Sequence, residues 1–219
     1  MCFSASASLI AGTGLCIIGK ETLKKPKVKT DIPFASIPLI FGIQQFVEGA
    51  VWLSIGMPVI NQVLAFIFLF FAYVVWPVFV PVAILLMEID PRRKKLIKIF
   101  AVCGMIAGMT MLYSILTGPI EAQVIQQSIS YSSIGNFPQA IFWLYLAATA
   151  FSCVASSHKM VSFFGITILI SCFTAYQCYA NSFFSVWCFF AAILSFLVYL
   201  HFHPANQLVR DIKTRLKIA

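Results

Sequence analysis

The fifteen Lys and Arg side chains of this chain sit in four places only: Lys20 to Lys29, Arg92 to Lys98, Lys159, and Arg210 to Lys217. Between and before them run apolar stretches. A membrane span needs roughly 20 mostly apolar residues, about 17 to 25 with tilt. Seven stretches qualify: Phe3 to Gly19, Pro33 to Ile55, Val59 to Met87, Leu96 to Thr117, Phe137 to Ser156, Met160 to Cys178 and Ser182 to Phe202. With seven crossings, the segments after spans one, three, five and seven share one side, and those segments hold every Lys and Arg. Basic residues accumulate on the cytoplasmic side. The pattern therefore predicts an all-α, polytopic bundle of seven membrane helices, with the N-terminus outside and the C-terminus cytoplasmic.

Composition agrees. Of 219 residues, 61% are hydrophobic and 10% charged, against about 25% charged in a soluble domain. We expect one membrane domain over residues 1–203. A basic tail follows over 204–219, in which Leu208, Ile212, Leu216 and Ile218 alternate with Arg and Lys as in an amphipathic helix on the inner leaflet. The expected partners are the lipid bilayer and anionic headgroups on the cytoplasmic face, at about 1 kcal/mol per basic side chain near the surface. The net charge of +8 does not point to nucleic acid, because the charges cap apolar spans rather than interleave with aromatics on one face. The first span has its basic residues after it, not before it, so it does not read as a cleavable signal.

Glu48 is the one acidic residue well inside a span, in its outer half. An ionisable group there costs at least ~2.5–3.5 kcal/mol, so it faces protein or a wet cavity. Gln44, Glu48 and Trp52 are spaced by four and Gln45 lies three before Glu48, which makes a polar stripe on one helix face. Depth matching adds Cys2, Ser4, Ser185, Trp187 and Cys188, with Gln177, Asn181, Asn61 and Gln62 at the same end. These residues define the expected ligand site: Gln44 or Gln45 orients the carboxyl, and Trp52 and Trp187 cap it. If Met1 is removed, the amine of Cys2 is a candidate partner for Glu48.

Other features carry less. Pro77 and Pro81 predict a kink or local unwinding in the inner half of the third span. Small residues at Ser4, Ser8, Gly12 and Cys16, and a GxxxG at Gly104 and Gly108, predict close helix packing within the chain. The loop from Gly118 to Asn136 reads as an interfacial turn or a lid. Seven cysteines form no metal pattern, and at most one disulfide is open to the outer three, Cys2, Cys178 and Cys188. His158, His201 and His203 lie at inner helix ends, too far from Glu48 to share a metal ion, so no metal site is expected. No lysine sits in a late span for a retinal link, and Walker, Rossmann and nucleophile-elbow motifs are absent. No cofactor is indicated.

Three stretches are familiar together: Met1-Cys2-Phe3-Ser4-Ala5; Gln44-Gln45-Phe46-Val47-Glu48-Gly49-Ala50-Val51-Trp52; and Val186-Trp187-Cys188-Phe189-Phe190-Ala191 with Leu194-Ser195 and His201-Phe202. They resemble an uncharacterised family of bacterial multi-pass membrane proteins, a domain of unknown function. The resemblance implies a bacterial inner-membrane location, singles out Cys2, Glu48, Trp52, Cys188 and His201, and implies no activity.

Three functions stay open. The first is binding or transport of an ion, proton or small polar ligand around Glu48, although the inner ends of spans one and two offer few polar residues for a conduction path. The second is a lipid-modifying enzyme with Cys2 or Cys188 as nucleophile. The third is a structural or assembly subunit.

Overall fold

The computed structural model describes residues 4–125, 127–133 and 138–203, and in them the chain forms seven helical rods and one β-hairpin. The rods are α1 (Ala5–Leu23), α2 (Lys29–Leu53), α3 (Pro58–Met87), α4 (Pro91–Thr117), α5 (Gln139–Val154), α6 (Lys159–Cys178) and α7 (Ala180–His201). Two strands, β1 (Ile120–Ile125) and β2 (Ser128–Ser133), pair antiparallel between α4 and α5. One end of the bundle thus carries the hairpin and the other carries the basic turns. Five rods, α2, α3, α4, α6 and α7, are long and apolar enough to cross a membrane. Two fall short of that mark. The α5 rod is apolar but begins only after Pro138 and stops before the Ala155 turn, and α1 closes on Lys20, Glu21 and Thr22. The basic tail at 204–219 lies outside the described residues.

Local chemistry sets the ends. The α4 rod starts five residues before the apolar stretch does. Asp90 caps it, its Oδ1 accepting from the amides of Arg92 (2.8 Å) and Arg93 (3.2 Å), and Pro91 occupies a first-turn position where no amide is needed. The described part of the loop, expected over 118–136 as an interfacial turn or a lid, is a β-hairpin set beside a fold that is otherwise all-α. Along β1, Ile120 is buried, Glu121 and Gln123 are exposed and Ala122 is half-buried, an alternation that ends at the exposed Val124. Tyr131 stacks on Phe68 of α3 at 4.6 Å, and Ser130 donates to the Asn181 carbonyl at the start of α7 (2.6 Å), so the hairpin bridges these two rods.

Small residues decide which rods touch. A Cβ on Gly12 would lie 3.1 Å from the Gly42 carbonyl, and one on Gly19 would lie 2.5 Å from the Leu39 amide nitrogen. Gly12 and Gly19, and Gly42 and Gly49, are each seven apart, the repeat that keeps one face of two helices together. On α4, a Cβ at Gly104 would meet the Pro77 carbonyl at 1.8 Å. The GxxxG therefore packs inside the chain, against α3.

The local unwinding expected from the prolines takes the form of a single wide π-turn at Phe71–Val75, just ahead of Trp76 and Pro77, while Trp76–Met87 stays α-helical. Pro77 has no amide for the Tyr73 carbonyl and its ring crowds that turn. Widening it sends the Trp76 amide back to the Phe71 carbonyl, which releases the Ala72 carbonyl. The Tyr145 hydroxyl donates to that freed oxygen at 2.6 Å. A second π-turn, Ala147–Phe151 in α5, has no proline. Its freed Ala148 carbonyl is taken by the Ser152 hydroxyl.

Candidate functional site

Glu48 is wholly enclosed, with 0% of its surface exposed. It lies five residues before the hairpin end of α2, about 8 Å along the axis at 1.5 Å per residue. The Ser185 hydroxyl of α7 donates to its Oε1 at 2.5 Å, and Gln45 Nε2 donates to its Oε2 at 3.2 Å. One turn toward the basic end, Gln44 Oε1 accepts from Trp76 Nε1 of α3 at 2.6 Å, and Trp76 lies flat on Phe41 with centroids 3.8 Å apart. Because an indole can only donate, this bond fixes which way the Gln44 amide points and turns its NH₂ away.

The cluster is short of partners. Gln45 Oε1, Trp52 Nε1 and the Ser8 hydroxyl are buried without a hydrogen bond among the described residues, and Gln44 Nε2 has only the Cys188 thiol to meet. Glycine packing sets Ser8 of α1 level with this part of α2, since Ala5 and Leu9 lie against Gly49. Each buried polar atom left unpaired costs about 1–3 kcal/mol. No Lys, Arg or His among the described residues forms an ion pair with Glu48. An isolated ionised carboxylate in such surroundings is costlier still.

Of the residues expected at the site, Glu48, Gln44, Gln45 and Ser185 come together. Cys188 stands within electrostatic reach of Glu48, one turn along α7 from Ser185. Trp52 is half-buried on the expected face. Trp187 is a correction: it sits in the core, its Nε1 donating to the Ile168 carbonyl at 3.4 Å. Two residues along a helix turn the side chain by about 200°, so Trp187 points away when Ser185 faces Glu48. Ser4 is also corrected. Its hydroxyl caps α1, accepting from the Ala7 amide at 3.2 Å. Asn61 serves the α2–α3 turn, donating to the Val51 carbonyl and Ser54, while Gln62, Gln177 and Asn181 are exposed. Cys2, and the pairing expected of its amine, lie outside the described residues. Cys178 and Cys188 are free thiols.

Below the cluster is a cavity of about 40 Å³, walled by Phe41, Trp76, Tyr145, Thr149, Trp187 and Cys188 among others. That is room for one or two waters. The wall is nearly all ring and aliphatic carbon, because the Trp76, Tyr145 and Thr149 polar hydrogens are already donated elsewhere. Such a space stays dry.

A second buried carboxyl, Glu88, escaped sequence reasoning. It joins α3 to α4 at the basic end and is 2% exposed. Five donors satisfy it: the amides of Ile89, Asp90 and Ser157, and the hydroxyls of Ser156 and Ser157. Burial alone would raise its pKa; the Ser157 hydroxyl and amide, the Asp90 amide and nearby His158 outweigh that and hold it below the ordinary carboxylate value. Arg93 donates across to the Ala155 and Ser156 carbonyls (2.9 and 2.8 Å), and the His158 and His201 rings meet edge to face at 5.5 Å. Trp76 and Glu88 carried no spacing signal, and Ser8 was read only as part of a small-residue packing stripe. The one available hint for Glu88 was an acid placed beside the most basic turn.

Five apolar rods long enough to cross a membrane, packed round a buried core, are compatible with a membrane protein. The chain belongs to the family of unknown function DUF6629, which matches residues 1–211. No curated protein and no solved structure matches it.

Proposed function

We propose that the protein is a membrane receptor site for a proton, ion or small polar ligand, held in an occluded pocket formed by Glu48, Gln44, Gln45, Ser185 and Ser8. The seven rods cross the inner membrane of a bacterial cell, with the hairpin end outside and the basic end on anionic headgroups in the cytoplasm. One observation carries this reading: a fully enclosed carboxyl group, bonded to Ser185 and Gln45, shares its stretch of helix with buried polar atoms left unpaired among the described residues. A protonated carboxyl, or a ligand bonded to it, removes both costs. The dry cavity beneath favours binding over passage, since nothing there replaces a hydration shell.

The test uses purified protein in lipid nanodiscs. Infrared difference spectra are taken between acid and alkaline buffer, and between sodium, potassium and choline salts. A carboxyl band that responds to pH or to one cation, and that vanishes in Glu48→Gln, is the expected result. A spectrum left unchanged by that substitution removes the site.

A further inference from the structure

At the hairpin end, a groove of about 310 Å³ separates β1 from the turn that joins α2 to α3. Four consecutive β1 residues, Ile120, Glu121, Ala122 and Gln123, form one wall. Consecutive residues of a strand point to opposite faces, so what the four share is the backbone edge. The register shows that this edge is open. Ile125 pairs with Ser128 across a two-residue turn, and Gln127 takes a φ of 66°. The closing pair of such a turn exchanges both hydrogen bonds, and bonded and non-bonded pairs then alternate. Ile125, Gln123 and Glu121 therefore face β2, while Ile120, Ala122 and Val124 turn their N–H and C=O outward. None of these three makes a backbone bond to another element among the described residues.

Natural sheets protect such an edge with charged side chains, Pro, a bulge or a covering segment. Ile-Glu-Ala-Gln-Val-Ile has a single charge, Glu121, and no Pro after Pro119 at its start, and a groove stands where a cover would lie. The opposite wall is low: Gly56 has no side chain and open space about it, Pro58 adds no amide hydrogen, and the Asn61 and Gln62 amides are polar but neutral. Glu121 supplies the groove's charge. We propose that this edge takes an extended peptide segment with a basic side chain as a third strand. Main-chain bonds to Ile120, Ala122 and Val124 hold it, and a Lys or Arg lies at Glu121. The inference is independent of Glu48.

The probe is a fluorescein-labelled peptide, Thr-Val-Lys-Val-Thr, titrated by anisotropy against the whole protein in neutral-lipid nanodiscs. Saturable binding is expected. It should weaken about tenfold or more when the peptide Lys is replaced by Glu, and likewise in Glu121→Gln. Methylating alternate peptide amides should abolish it. Ala122→Pro should abolish it too, because a proline with its nitrogen on the outer edge is tolerated in a strand; circular dichroism checks that the fold survives. No saturable binding, binding indifferent to amide methylation, or equal binding of the Glu peptide each overturns the proposal. Binding to protein-free nanodiscs of the same size as to loaded ones overturns it as well.

Discussion

Tyr145 and Glu88 are the residues on which two joints of the structure rest. The Tyr145 hydroxyl is the partner of a carbonyl that the π-turn in α3 has released, so Tyr145→Phe leaves the Ala72 oxygen bare in an apolar interior. Hydrogen bonds between membrane helices average about 0.6 kcal/mol and reach about 1.7. Because this carbonyl has no alternative partner among the described residues, we expect a loss near the upper figure, read as reduced resistance to unfolding in mixed micelles. Glu88 sets a pH limit. Its folded pKa lies below the unfolded one, so it contributes stability that is fully present above the unfolded value of about 4.5 and is lost as pH falls through the folded value. Unfolding measured through that acid range should show this slope. Glu88→Gln should flatten it and lower stability at neutral pH, since an amide meets five donors with a single acceptor oxygen.

The elements show what a sequence can and cannot announce. The Gln44, Gln45, Glu48 stripe was legible because helical spacing is a local property. Ser185 followed from depth. Trp76 did not, because its bond to Gln44 joins residues 32 positions apart and depends on where α3 crosses α2. Apolar runs found every rod but misplaced the start of α4, where Asp90, not hydrophobicity, decides the boundary. The hairpin was missed because six-residue strands, one of them mostly Ser, carry little pattern outside their pairing. The helix crossings give a paired test. Gly104→Ala would drive a methyl group into the Pro77 carbonyl and should cost about 1–3 kcal/mol as α3 and α4 separate. Gly14→Ala, with nothing within 4 Å of the new carbon, should be neutral or stabilising by up to about 1 kcal/mol. Parallel thermal unfolding of the two variants distinguishes close packing from a general sensitivity of glycine.

At the scale of the molecule, the proposed orientation places Cys178 outside, at the hairpin end of α6, where it is exposed. A chain retaining only this cysteine should react in intact cells with a maleimide that cannot cross the membrane. Labelling that appears only after the cells are broken would reverse the assignment. The setting of Glu48 is likewise a property of the whole, since its two hydrogen bonds come from Gln45 on its own helix and from Ser185 on α7.

The glycine interlock of α1 with α2 bears on how the chain enters its membrane. The α1 rod is not among the five apolar enough to cross a membrane, being broken by Gly12, Gly14 and Gly19 and closed by Lys20 and Glu21, yet it precedes α2 in the chain. Its backbone meets that of α2 at Gly12 and Gly19 so closely that the two form one unit. The translocon would then release α1 sideways into lipid only once α2 has been synthesised, as a helical hairpin inserted in one event. Nascent chains arrested after Lys29 should remain extractable by alkali, and those arrested well past Leu53 should not.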